Sequence, residues 1–230
     1  MAGPPSRRRA TAAPVALLIG WIALLLAGWV LGELCVSAAR GADVDAVKDV
    51  GADRTGVLTA AAHVLSFIGS GYVIVPLAVV ITLALYTRAN KPDAYAIALS
   101  VAGAMALSSL VKVIVDRARP TVHHLEAASS ASFPSGHATQ STAFFLALLL
   151  AYLARRPPRA RATATMAVTA TVLLIVAIAL SRVYLGVHYP TDVAAGILLG
   201  GAWTLVTRRL VCGSIAPAGR WLSLRRDRSA

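Results

Sequence analysis

ATATMAVTATVLLIVAIALSRVYLGVHYPTDVAAGILLGGAWTLVTRRL, residues 162–210, holds two apolar runs joined by the polar dozen SRVYLGVHYPTD at 181–192. At 1.5 Å per residue, a helical run of about 20 residues matches a hydrocarbon core of about 30 Å. The stretch therefore reads as two membrane helices meeting at a polar junction on one membrane face. Charged residues so close to a bilayer are costly, and a cluster of them is by default a functional site.

Four more runs extend the pattern, at residues 15–36, 67–86, 94–115 and 138–153. The last is short, although a helix that begins inside the preceding Pro134-Ser135-Gly136-His137 would complete it. The expectation is an all-α polytopic membrane protein with six transmembrane helices. Its membrane domain would run over 15–211, between a cytoplasmic head at 1–14 and a basic tail at 212–230. Composition agrees: 57% of the 230 residues are hydrophobic and 14% charged, against about 25% charged in average globular chains. Mean hydropathy is +0.71. Residues 37–66 read as a loop with one or two short interfacial helices, in which His63 packs. The first run exceeds the 7–15 residues or so of a signal-peptide core, so it reads as an uncleaved anchor.

The net charge of +12 does not point to nucleic acid, because the basic residues do not gather along one face. They gather in short segments between runs. With the head inside, segments 1–14, 87–93, 154–161 and 208–230 hold 15 of the 22 Lys and Arg. That is a positive-inside pattern, with both termini cytoplasmic and anionic lipids as partners of the tail. Cys35 and Cys212 then lie at opposite membrane faces, too far apart for a disulfide.

The same topology brings three polar clusters to the outer face. In the first, KVIVDRARP at 112–120, Lys112 and Arg119 are seven apart and would share a helix face. They can grip a phosphate as a point charge and a planar fork. Asp116, four after Lys112, would pair with it in the absence of substrate. In the second, Ser135 and Gly136 form a turn into a helix, whose free N–H groups make an anion site. His137 follows where it can give a proton to a leaving group. The third places His188 four before Asp192, with Arg182 as a third cation. A carboxylate there can fix the imidazole tautomer and leave the other nitrogen free to attack. The plainer readings are snorkelling cations, an ordinary helix-entry turn, and a first-turn acid favoured by the helix dipole.

The motifs KxxxxxxRP, PSGH and SRxxxxxHxxxD, in this order over residues 112–192, resemble the three-part signature of the type-2 phosphatidic acid phosphatases. These are integral-membrane lipid phosphate phosphatases related to vanadium haloperoxidases. The resemblance implies that His188 attacks phosphorus, Asp192 orients it and His137 protonates the leaving oxygen. Lys112, Arg119, Ser135, the Gly136 N–H and Arg182 would hold the phosphoryl oxygens, with no metal and no cofactor. Undecaprenyl diphosphate, phosphatidylglycerophosphate and phosphatidic acid all fit as substrates, at the outer leaflet of a bacterial inner membrane. A lipid phosphotransferase with an alcohol acceptor is the alternative, and a non-enzymatic lipid binder a more distant one. His63, Arg117, His123 and His124 fall outside the expected site, Arg117 because it occupies a free position of the first motif.

Overall fold

The computed structural model describes residues 7–157 and 161–213; residues 1–6 of the expected head and 214–230 of the expected tail lie outside them. The described residues form eight helices: α1 (Arg7–Ala38), α2 (Arg40–Ala52), α3 (Gly56–Ile68), α4 (Gly71–Thr87), α5 (Lys91–Val115), α6 (Gly136–Leu153), α7 (Arg161–Tyr184) and α8 (Pro190–Cys212). There is no strand among them, and the fold is all-α.

Four helices are long and apolar enough to cross a membrane: α1 over Ala13–Ala38, α5, α7 and α8. The pair α3 and α4, bent by 40°, adds a fifth if it is one broken span. Up to five of the expected six spans are counted in this way among the described residues, α6 standing apart because it opens with polar residues. Its first two turns, GHATQST, are polar and mostly buried. The expected run at 67–86 is also divided at Gly69, whose carbonyl accepts a 2.8 Å hydrogen bond from the buried Gln140 side chain. That bond satisfies a backbone group which the helix break would otherwise strand. Leu18, Ile22 and Leu26 on α1 and Leu173 and Leu180 on α7 stand exposed. Such outward apolar rows suit lipid, and the chain is a multi-pass membrane protein.

Helix α6, polar only in its first turns, sits at the centre, packed on α5, α7 and α8. Two α8 glycines, Gly196 and Gly200, make this possible. A Cβ on Gly196 would lie 2.8 Å from the Ser135 carbonyl oxygen, and one on Gly200 would meet the Thr139 carbonyl. This small-xxx-small spacing lets backbones touch, as packing between membrane helices favours. Trp203 of α8 fills the notch at Gly103 and donates to Leu99 O at 2.9 Å. Trp21 of α1 donates to Gly103 O at 3.0 Å, so α1 is fixed to the same seam.

At the end of the bundle away from Lys112, Asp93 of α5 is paired with both Arg208 of α8 and Arg155 just beyond α6. Cys212 lies beside Asp93. Cys35 is influenced instead by Arg117 and Thr191, at the opposite end of α8. Both thiols are free. His63, expected to pack, is exposed on α3.

Candidate active site

Helix termini build the site. α5 and α7 end, and α6 and α8 begin, at one end of the bundle, which brings the three motifs together. The starts of α6 and α8 are tied directly, Ser135 N–H donating to Asp192 O at 3.0 Å. Ser135 is the N-cap of α6: its hydroxyl accepts from Ala138 N–H at 3.4 Å and is fully buried. Gly136 opens the helix and lines, with Lys112, Asp116, Ser108 and Gln140, a cavity of about 410 Å³.

Lys112 is the last cation of α5. Its ammonium donates to the carbonyls of Ala131 at 2.5 Å and Ser132 at 3.3 Å. The expected pairing with Asp116 is not formed. Asp116 takes a left-handed conformation, φ 43°, and ends α5, a backbone state that Asp tolerates better than most residues. For the same reason Lys112 and Arg119 do not share a helix face. Arg119 arrives on the extended segment beyond the helix, where it donates to Ser130 O at 2.7 Å and Val187 O at 2.5 Å. Its Nη1 comes within 3.4 Å of His188 Nε2.

His188 lies between α7 and α8 and is almost wholly buried. Burial pushes its pKa from the ordinary 6.5 down to about 4; Asp192 opposes this, and the charges of Lys112 and Arg119 add to it. The ring is therefore neutral at pH 7. Its Nδ1 faces Asp192 Oδ2 at 3.5 Å, longer than a formed hydrogen bond, a looseness common before a substrate is bound. Asp192 also caps α8, its Oδ2 accepting Tyr189 N–H at 2.9 Å. The first-turn acid and the imidazole partner are thus the same carboxylate.

Arg182, at the end of α7, is 3% exposed and engaged by Glu126, Nη1 to Oε2 at 2.6 Å. Ser66 joins them, donating to Glu126 Oε2 at 2.9 Å and accepting from Arg182. His137, half-buried on the first turn of α6, lies within electrostatic reach of Arg182, His188, Lys112 and Arg119. All eight expected residues thus belong to one end of the bundle. His124 is turned aside, its Nε2 on Pro120 O at 2.7 Å.

Residues 93–214 match the family model of the PAP2 superfamily. The chain belongs to this superfamily. It is 38% identical over 168 residues to decaprenylphosphoryl-5-phosphoribose phosphatase of Mycolicibacterium smegmatis, covering 69% of this chain and 83% of that one. The protein of the same name from Mycobacterium tuberculosis is 42% identical over 101 residues, 42% of this chain. There the match spans about half of the relative's length, 49%. The crystal structure of a transmembrane PAP2-type phosphatidylglycerolphosphate phosphatase from Bacillus subtilis superposes with a TM-score of 0.71 at 26% identity, over 82% of this chain and 94% of that one.

Four residues packed into this candidate site escape the motif reading: Arg117, Asp43, Glu126 and Ser66. Arg117, set aside as a free position, is buried against Asp192 and Asp43, with both distances 2.7 Å. The signal available in the sequence was scarcity. Asp and Glu total 10 in 230 residues, so each acid near an apolar run needs a partner.

Proposed function

We propose that the chain is a metal-independent lipid phosphate phosphatase working through a phosphohistidine on His188. The observation that carries this reading is a buried imidazole whose Nε2 faces Arg119 at 3.4 Å while Nδ1 faces Asp192. Lys112, Arg119, Arg182 and the N-terminus of α6 at Gly136, capped by Ser135, supply positive potential for phosphoryl oxygens. Phosphoryl transfer depends mainly on such positioning and electrostatic stabilisation.

In the proposed reaction His188 Nε2 attacks phosphorus, and the bond from phosphorus to the lipid oxygen breaks. The departing oxygen takes a proton from His137; burial and the Arg182 charge push that imidazole down to about 3 before substrate binds, and the bound anionic phosphate must raise it for the ring to carry the proton. Water then attacks the phosphohistidine, gives a proton back to His137, and leaves inorganic phosphate with free His188. The relatives named for a decaprenylphosphoryl phosphoribose and for phosphatidylglycerolphosphate share a phosphate carried on a lipid, and that is the substrate class we assign. The positive-inside charge pattern supports a site at the outer membrane face with both termini in the cytoplasm.

The test is phosphate release by detergent-purified protein with EDTA present. The panel holds decaprenylphosphoryl-5-phosphoribose, undecaprenyl diphosphate, phosphatidylglycerophosphate, phosphatidic acid and a soluble phosphomonoester. Release that persists in EDTA and disappears in a folded His188→Ala variant is expected. Substantial release by His188→Ala would overturn the mechanism. Release that requires an added alcohol would convert the reading to a phosphotransferase.

A further inference from the structure

The Arg117 cluster lies behind Asp192, away from the phosphate-facing cations, and it reaches an element that the family match leaves out. Asp192 is fully buried, and its two oxygens have different partners. Oδ2 takes Tyr189 N–H and faces His188, whereas Oδ1 accepts from Arg117 Nη1 at 2.7 Å. The other arm of the same guanidinium, Nη2, donates to Asp43 Oδ2 at 2.7 Å. Asp43 comes from α2, before the matched residues 93–214.

Asp43 also receives Thr191 N–H on Oδ1 at 3.1 Å and the Thr191 hydroxyl on Oδ2. That hydroxyl accepts in turn from Arg117 Nη1 at 2.8 Å. The Tyr189 ring lies under the guanidinium, 4.1 Å from its centre to Cζ. Every link is in or beside the first turn of α8, and the side chains of Asp43, Arg117 and Asp192 are at most 5% exposed.

A planar fork held at both ends has no rotational freedom left. A carboxylate held on one oxygen by such a fork, and on the other by a backbone N–H, keeps one orientation. We propose that Asp43 and Arg117 are positioning residues: Asp43 fixes Arg117 and Thr191, and Arg117 fixes Asp192 so that Oδ2 is presented to His188 Nδ1. Helix α2 thereby becomes a working part of the site. This rests on the reading of His188 as nucleophile.

Two substitutions in the full-length protein test it, Asp43→Asn and Arg117→Lys. Asp43→Asn keeps the shape and removes the charge, while Arg117→Lys keeps the charge and removes the fork. Neither touches Lys112, Arg119 or Arg182. The expected result is a fall in kcat of roughly 10- to 100-fold, the scale of a slightly misplaced reacting group, with KM within about twofold of wild type on the same lipid. Thermal unfolding checks that each variant is folded, and Arg117→Lys decides the matter if Asp43→Asn is not. Unchanged kcat in an active background overturns the proposal alone, as does a rise in KM with kcat intact. Failure of both variants to fold makes the cluster purely structural and also overturns it. A wild type silent on every lipid removes the phosphatase reading, and this proposal with it.

Discussion

Gly196→Ala tests whether the close crossing of α6 and α8 sets the site geometry. The new Cβ would lie 2.8 Å from Ser135 O, 3.0 Å from Ala138 Cβ and 3.0 Å from Thr139 Oγ1. Ordinary contact begins near 3.4 Å, so the helices must part by about 0.6 Å. Ser135 O is backbone, held by Thr139 N–H and the Thr139 hydroxyl at 3.0 and 2.8 Å, and it cannot rotate away. The movement falls on the Ser135–Asp192 hydrogen bond and opens the distance between His137 and His188. Overpacking of this kind costs about 1–3 kcal/mol, offset by about 1 kcal/mol of helix propensity gained from Gly to Ala. The melting temperature should therefore move little. Activity should fall much more: a 1 Å misplacement costs about 100-fold, which puts a shift of this size near tenfold in kcat/KM. The control is Gly201→Ala, whose Cβ would meet only Thr142 Cγ2 at 3.8 Å, and which should match wild type in activity with equal or higher stability. Phosphate release on the preferred lipid, with thermal unfolding in the same detergent, reads both. Gly196→Ala as active as Gly201→Ala would refute the reasoning.

Glu126→Gln should strengthen phosphate binding. Arg182 is held by Glu126 through Nη1 alone, so an incoming phosphate competes with that carboxylate for the same guanidinium; Glu126 is 31% exposed on its side chain, so the pair is worth about 1 kcal/mol. KM and the inhibition constant for inorganic phosphate should both fall by about fivefold, and a rise in either would contradict the assignment. A second expectation follows from the buried, neutral His188, whose pKa is about 4 in the folded protein against an ordinary 6.5. Between these values the unfolded chain takes up a proton that the folded one does not, so stability falls as pH drops from 6.5 toward 4. His188→Asn should lessen the melting-temperature slope over that window without abolishing it, because burial also pushes His137 down to about 3, and an unchanged slope would place the acid sensitivity elsewhere.

The site's motifs were legible because each stands at the end of an apolar run, where a charge has little structural reason to be. Sequence order then sufficed to bring Lys112, His137, Arg182 and His188 to one end. Helix count was less legible, for a related reason. The polar residues of α6 that mark the site, His137 and Gln140 among them, are the ones that lower its apolarity below that of a span. What makes α6 a central helix is the pair Gly196 and Gly200 on α8, and their meaning lies in a backbone contact that no hydropathy pattern contains. The Lys112–Asp116 pairing failed on a local conformation: spacing of four implies a shared face only while the helix continues, and it stops at Val115.

Arg117 marks the limit of motif reading most sharply. Two arginines stand two apart at 117 and 119, and alternate positions on an extended segment share a face. Yet one meets His188 Nε2 and the other Asp192 Oδ1, on opposite sides of the same imidazole. The difference comes from what each finds already in place. Arg119 meets backbone carbonyls of Ser130 and Val187 that hold it beside His188 Nε2. Arg117 meets Asp43, 74 residues earlier in the chain and on a helix that reads as an interfacial connector. A guanidinium between two buried carboxylates ties all three together: removing Arg117 leaves two carboxylates uncompensated in a dry interior, a loss of about 3–5 kcal/mol. That interdependence makes an acid outside the family match part of the site's architecture. It also explains why α2, mean hydropathy notwithstanding, is held in the bundle: its buried faces are Asp43, which meets Arg117, and Val47, which packs with Ala138, Val183 and Val193.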